Sequence, residues 1–181
     1  PKWVDWSTIL SKEPVDKFSK VVYDLYTKLP PRHCEYRELI CRRSGSVQEN
    51  PTPDTTRNYV DMDGDGGPCR IVLNVYKGSK KKGQYICTAP KSLVEYINNT
   101  DALDGDYVFP RARRSPSGWS RCVGNVFQKL LGRRATVNVL RKSYATHCFQ
   151  SASHMSEATK KNIALSMGTS VLKLQGIYRK I

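Results

Sequence analysis

The chain has 181 residues, enough to bury a core without disulfide or metal staples, and its 30 Lys and Arg against 16 Asp and Glu leave a formal charge of +14. That surplus points to a polyanionic partner, nucleic acid first, with a merely supercharged soluble surface as the bland alternative. No apolar run approaches the roughly 20 residues that cross a bilayer, which excludes a membrane-spanning helix and predicts a soluble protein.

In chain order, Phe18, Val21, Val22, Leu25 and Tyr26 recur at three and four, which predicts a helix over residues 15–29 that Pro30-Pro31 ends. A second helix is predicted from Arg32, turning Tyr36, Leu39 and Ile40 inward, with a loop from Ser44-Gly45 to Pro53. Arg32 at a helix start would sit where first-turn amides and the dipole favour an anion. Asn58-Tyr59-Val60, the run from Cys69 to Tyr76, and Gln84-Tyr85-Ile86-Cys87-Thr88 read as three short antiparallel strands. Between the last two, Lys77-Gly78-Ser79-Lys80-Lys81-Lys82-Gly83 reads as a basic hairpin tip that reaches DNA, or else as a solvated edge turn.

Pro90 opens a helix with Leu93, Val94 and Ile97 on one face, and residues 101–106 form an acidic loop. Arg111-Ala112-Arg113-Arg114-Ser115-Pro116-Ser117-Gly118 reads as a mobile basic connection close to phosphates. Helices are predicted over 119–131, 136–150 and 157–167, with a last one carrying Tyr178. The fold class is α+β: one mainly helical domain over residues 1–181 around a small three-stranded antiparallel sheet. Cys34, Cys41, Cys69, Cys87, Cys122 and Cys148 form no CxxC pair and have no histidine at zinc-finger spacing. They are predicted to be reduced thiols in a reducing compartment, with Cys34, Cys41 and Cys148 on helical patterns; no metal site and no cofactor is predicted.

Two stretches near the C-terminus carry chemistry. Leu140-Arg141-Lys142-Ser143-Tyr144-Ala145-Thr146-His147 is followed by Met167-Gly168-Thr169-Ser170 and then Tyr178. An arginine in one helix and a tyrosine near the end of a later one supply a phosphate clamp and an oxygen nucleophile. Upstream, Leu29-Pro30-Pro31-Arg32-His33-Cys34-Glu35-Tyr36-Arg37-Glu38-Leu39 adds a second arginine, and Tyr76-Lys77-Gly78-Ser79 a lysine beside predicted strands. In order and spacing these motifs resemble the tyrosine recombinase (phage integrase) catalytic domain, and the Leu-Pro-Pro-Arg opening is more similar to recombinases of large eukaryotic DNA viruses and mobile elements.

The resemblance implies a role for each residue. Tyr178, nine residues after Thr169, would form a 3′-phosphotyrosyl ester, Arg32 and Arg141 would hold the scissile phosphate, and Lys77 would protonate the 5′ leaving oxygen. Asn138 and Thr169 stand where the family has imidazole or indole side chains; they offer hydrogen bonds but accept no proton near neutral pH. His147 or a water is the substitute open to this chain, and Glu35 would orient an arginine. Lys80, Lys81, Lys82, Arg111, Arg113, Arg114 and Lys142 are the expected DNA contacts. Each residue has a structural alternative: an ion pair for Arg32 or Arg141, a backbone contact for the lysines, a packing role for Tyr178.

The implied function is site-specific DNA recombination or integration, with type IB topoisomerase-like relaxation as a side activity. The alternative is a DNA-binding module of the same fold that has lost cleavage; an RNA-binding structural protein is a third. The implied partner is double-stranded DNA, with assembly into a dimer or tetramer on it and a monomer without it. The chain would be a C-terminal piece lacking the family's core-binding domain. It would work inside the cell where DNA is, in nucleus, cytoplasm or a viral replication compartment, and away from membranes.

Overall fold

The computed structural model describes residues 3–32, 35–43, 55–62, 68–76, 79–150 and 155–178, apart from the side chains of Lys81, Ala112, Gln150, Gln175, Ile177 and Tyr178. The chain divides into two compact units, one made of Pro1–His33 with Ser120–Ile181 and the other of Cys34–Trp119.

The terminal unit is helical, and its helices begin where the sequence supplies caps. Asp5 accepts from the Ser7 and Thr8 amides to open α1 (Trp6–Leu10), Asp16 accepts from the Ser19 amide to open α2 (Lys17–Thr27), and Ser156 accepts from Thr159 to open α8 (Glu157–Ser166). α2 buries Val21, Val22, Leu25 and Tyr26 at the predicted spacing, and Tyr23 stacks on Phe127 of α6 (Pro116–Leu131). α7 (Val137–Gln150) and α9 (Val171–Tyr178) complete the unit; Ala145 of α7 packs with Ala164, Met167 and Leu174 in a small core between α7, α8 and α9. α1 was not anticipated, because five residues with only Trp6 and Ile9 buried are too few to show a period.

The middle unit is built on a mixed sheet of order β1-β2-β3-β4, formed by Ile40–Arg42, Tyr59–Asp61, Arg70–Leu73 and Tyr85–Thr88. β2, β3 and β4 are the three predicted antiparallel strands, with Tyr59 opposite Val72 and Val72 opposite Ile86. A fourth strand, β1, pairs parallel to β2, so the expected three-stranded antiparallel sheet is corrected to a four-stranded mixed one. The predicted helix from Arg32 is likewise replaced by a 3-10 turn, Glu35–Glu38, that leads into β1. Three-residue strands leave no period to read, and β1 is fixed by distant backbone: the Cys41 amide donates to Asp106 O at 2.7 Å and the Val108 amide to Leu39 O at 2.9 Å.

One sheet face, with Cys41, Val60 and Ile71 side by side across the strands, is fully buried, as are Leu93 and Ile97 of α4 (Lys91–Asn99). Phe109 lies 4.8 Å from Trp119, centroid to centroid. Asn58 is the polar rivet of the unit: its Oδ1 accepts from the Asn74 and Val75 amides at 2.9 and 2.8 Å, and its Nδ2 donates to Val75 O at 2.9 Å. The basic tip is also corrected where it is described: Ser79–Lys82 form a helical turn, α3, closed by the Gly83 amide on Ser79 O. Residues 111–118 are ordered into α5 (Arg111–Arg114) and the start of α6, where Ser115 Oγ accepts from the Gly118 amide and Pro116 occupies the first helical position.

Among the described cysteines Cys41, Cys69, Cys87, Cys122 and Cys148 are free thiols, and burial pushes the Cys41 and Cys148 thiols up. Cys41 lies in β1 rather than on the expected helix; Cys34 lies outside the described residues. No described helix is long and apolar enough to cross a membrane.

The Asp16 carboxyl is held below its ordinary range, chiefly by the Ser19 side chain and then the Ser19 amide. A depressed folded value means that this stabilisation is present above the ordinary carboxylate range and lost as pH falls through it towards the folded value. Asp16→Ala is expected to cost about 1 kcal/mol at neutral pH. In urea titrations the advantage of the native chain over Asp16→Asn should shrink on acidification.

Candidate active site

The site grows from the end of α8. Gly168 has φ +65, a backbone state open to glycine, and it ends the helix in a double turn: its amide donates to Leu165 O at 2.9 Å and the Thr169 amide to Ala164 O at 2.8 Å. These bonds redirect the chain into α9, whose last residue is Tyr178.

Both arginines of the sequence motifs meet this helix end. Arg141 Nη1 donates to Met167 O and to Pro31 O, each at 2.9 Å, and Arg32 Nη2 donates to Leu165 O at 3.2 Å. Two cations thus serve carbonyls at the negative end of α8. Because Pro31 immediately precedes Arg32, Arg141 also fixes the backbone that presents the other arginine. Arg32 is fully buried, and it follows α2 outside regular secondary structure rather than opening a helix. Pro30-Pro31 keep α2 from running on to Arg32, since proline ends a preceding helix.

Asn138 is exposed one turn before Arg141, on the same side of α7. Thr169 is half-buried in the α8–α9 link, and Lys142 is half-buried beside Arg141. Tyr178 closes α9 in backbone, and its side chain is not among those described. Lys77 lies outside the described residues. The middle unit carries the remaining basic residues: Lys80, Lys82 and Arg111 are exposed, Lys81 belongs to α3, Arg113 is half-buried, and Arg114 lays its guanidinium 3.6 Å over the Tyr107 ring. Glu35 falls in the 3-10 turn, and its carbonyl meets Asn58 Nδ2 at 3.5 Å.

His147, the candidate substitute base, is exposed on α7. Six residues on from Arg141, it lies about 120° away around α7. It shares the face of Ser143, which accepts from the Val4 amide. His147 adds a small electrostatic contribution to holding the Asp5 carboxyl low, after the larger effect of the Ser7 side chain. Among the described residues no group of histidine, cysteine and carboxylate side chains is arranged to hold a metal.

Sequence reasoning missed the carbonyls of Pro31, Leu165 and Met167, which no residue type announces. It also left Ser143 without a role, although that serine stands inside the quoted motif.

No family model matches the chain, and no curated protein matches it in sequence. In three dimensions it is similar to the crystal structure of XerA recombinase, a tyrosine recombinase, with a TM-score of 0.61 and 16% identity over 98% of this chain. The match spans 59% of that protein's chain. The fold is therefore that of a tyrosine recombinase domain, α+β and mainly helical.

Arg141→Ala would strip a shared donor from two backbone carbonyls, at an expected cost of about 2 kcal/mol in the absence of DNA. Thermal or urea unfolding of the isolated chain checks it; an unchanged midpoint would mean that the two bonds carry no net stability.

Proposed function

We propose that this chain is the catalytic domain of a DNA strand-exchange enzyme, a site-specific recombinase or integrase. The observation that carries the reading is the convergence of Arg32 and Arg141 on the end of α8, from which the helix of Tyr178 departs. A guanidinium has five donors in a planar fork, enough to hold carbonyls on one edge and phosphate oxygens on another. In the proposed reaction Tyr178 Oη attacks the scissile phosphorus, its proton passing to a water, and the bond to the 5′ oxygen breaks. Lys77 gives that oxygen its proton, leaving a 3′-phosphotyrosyl ester. Attack by a 5′ hydroxyl of another strand reverses the step; one ester replaces another, so no energy source is consumed.

Charge distribution supports a DNA partner. The terminal unit holds 17 of the Lys and Arg against 5 Asp and Glu, whereas the middle unit holds 13 against 11. Binding to duplex DNA would therefore fall steeply with salt. Lys80, Lys81, Lys82, Arg111, Arg113, Arg114 and Lys142 are the proposed backbone contacts, and assembly into a dimer or tetramer would occur on DNA. A preceding core-binding domain, a viral or mobile-element source and an intracellular site of action belong to the same proposal.

A second reading, a DNA-binding module that no longer cuts, is favoured by one observation: Asn138 and Thr169 accept no proton near neutral pH. Losing one transition-state hydrogen bond costs about 10²–10³ in rate, which slows cleavage without ending it.

A nicked suicide duplex followed by a denaturing gel separates the readings. A covalent protein–DNA adduct is expected from the native chain and none from Tyr178→Phe. Salt-sensitive duplex binding with no adduct from either protein would favour the non-cutting module.

A further inference from the structure

Residues 3–10 are tied down at four points, two of them on α7. Arg133, in the α6–α7 link, donates from Nη2 to Trp3 O at 2.6 Å. The Val4 amide donates to Ser143 Oγ at 2.9 Å in a buried contact. Trp6 sets its ring edge against Tyr144, with centroids 5.2 Å apart. The Tyr23 hydroxyl donates to Ile9 O at 3.2 Å. Val4, Trp6 and Ile9 are buried, so the segment cannot leave α7 without exposing three apolar side chains.

Ser143 follows Arg141 by two residues, about 200° around the helix. The segment therefore grips α7 at Ser143, on the side away from the arginine, and at Tyr144, one turn on from Arg141. Arg141 is fastened to Pro31 O and Met167 O, and Ala145 packs against α8 and α9; the Ser143 contact adds a restraint on roll from the other side. A roll of about 10° moves a group about 6 Å from the axis by about 1 Å. A misplacement of about 1 Å at a reacting group costs about 100-fold in rate.

We propose that residues 3–10 are a positioning strap that fixes the roll and depth of α7, and through it the guanidinium of Arg141, with Ser143 as the receiving hydroxyl. The inference rests on the reading of Arg141 as a phosphate-binding residue. Ser143 is a positioning residue: buried, it touches the strap through its hydroxyl.

The test is single-turnover cleavage of a nicked duplex at saturating DNA by the full chain and by Ser143→Ala. The rate constant is expected to fall about tenfold, with duplex Kd kept within about twofold. A rate within about twofold of the native value overturns the proposal. So does a fall in rate matched by equal loss of DNA binding or of α2 amide protection, which marks general destabilisation. Arg133→Gln releases Trp3 O without opening the buried face; it serves if Ser143→Ala does not fold, with the same direction expected and an unchanged rate again contrary. If the native chain forms no adduct, the recombinase reading fails by itself and the strap is judged by hydrogen exchange. Ser143→Ala should then speed exchange of the α7 amides flanking Arg141 about tenfold relative to α2; equal rates in the two proteins overturn it.

Discussion

The guanidinium of Arg141 holds together pieces of chain that are far apart in sequence. From one nitrogen it serves the carbonyl of Pro31, 110 residues away, and that of Met167, 26 residues away. A neutral side chain would offer weaker donors, and a lysine would offer a point charge without the planar fork. The bond to Met167 O lies one residue before Gly168, where the chain turns from α8 into α9. The bond to Pro31 O lies one residue before Arg32. Moving this one side chain would disturb the second arginine and the start of the tyrosine helix together.

That economy links stability to the proposed chemistry. The helix end is a place where carbonyls lack intrahelical partners, and here two of the donors that serve it are the groups assigned to the phosphate. A phosphate arriving at this site would meet a fork already oriented by backbone, which lowers the cost of assembling the site when DNA binds. The concentration of positive charge in the terminal unit acts at longer range, drawing a polyanion towards the unit that carries both arginines. The middle unit is nearly balanced in charge, and its sheet contributes a rigid frame riveted by Asn58.

How much of this was legible in the sequence depended on length and locality. α2 and α4 were readable because several apolar residues repeat at helical spacing, and the end of α8 because Gly168 marks it. β1 was read as helix because Tyr36, Leu39 and Ile40 mimic a helical face, while the backbone bonds that make it a strand come from Asp106, Val108 and the parallel neighbour β2. The basic stretch 111–118 suggested a loose connection by composition. Its order comes from local details: Ser115 and Pro116 starting α6, and Arg114 stacked on Tyr107. The two arginines that meet at the end of α8 were legible by type and spacing. Their mutual fastening was not, because carbonyl acceptors leave no trace in residue identity.

The central claim is that one phosphate is received jointly by Arg32 and Arg141. Side-chain ¹⁵N resonances of the arginines, assigned through Arg32→Lys and Arg141→Lys, can be followed as a nicked duplex is added to Tyr178→Phe. The account requires both resonances to move together and saturate at one equivalent of site. Saturable shifts at other arginines, with Arg32 and Arg141 both unmoved, would contradict it.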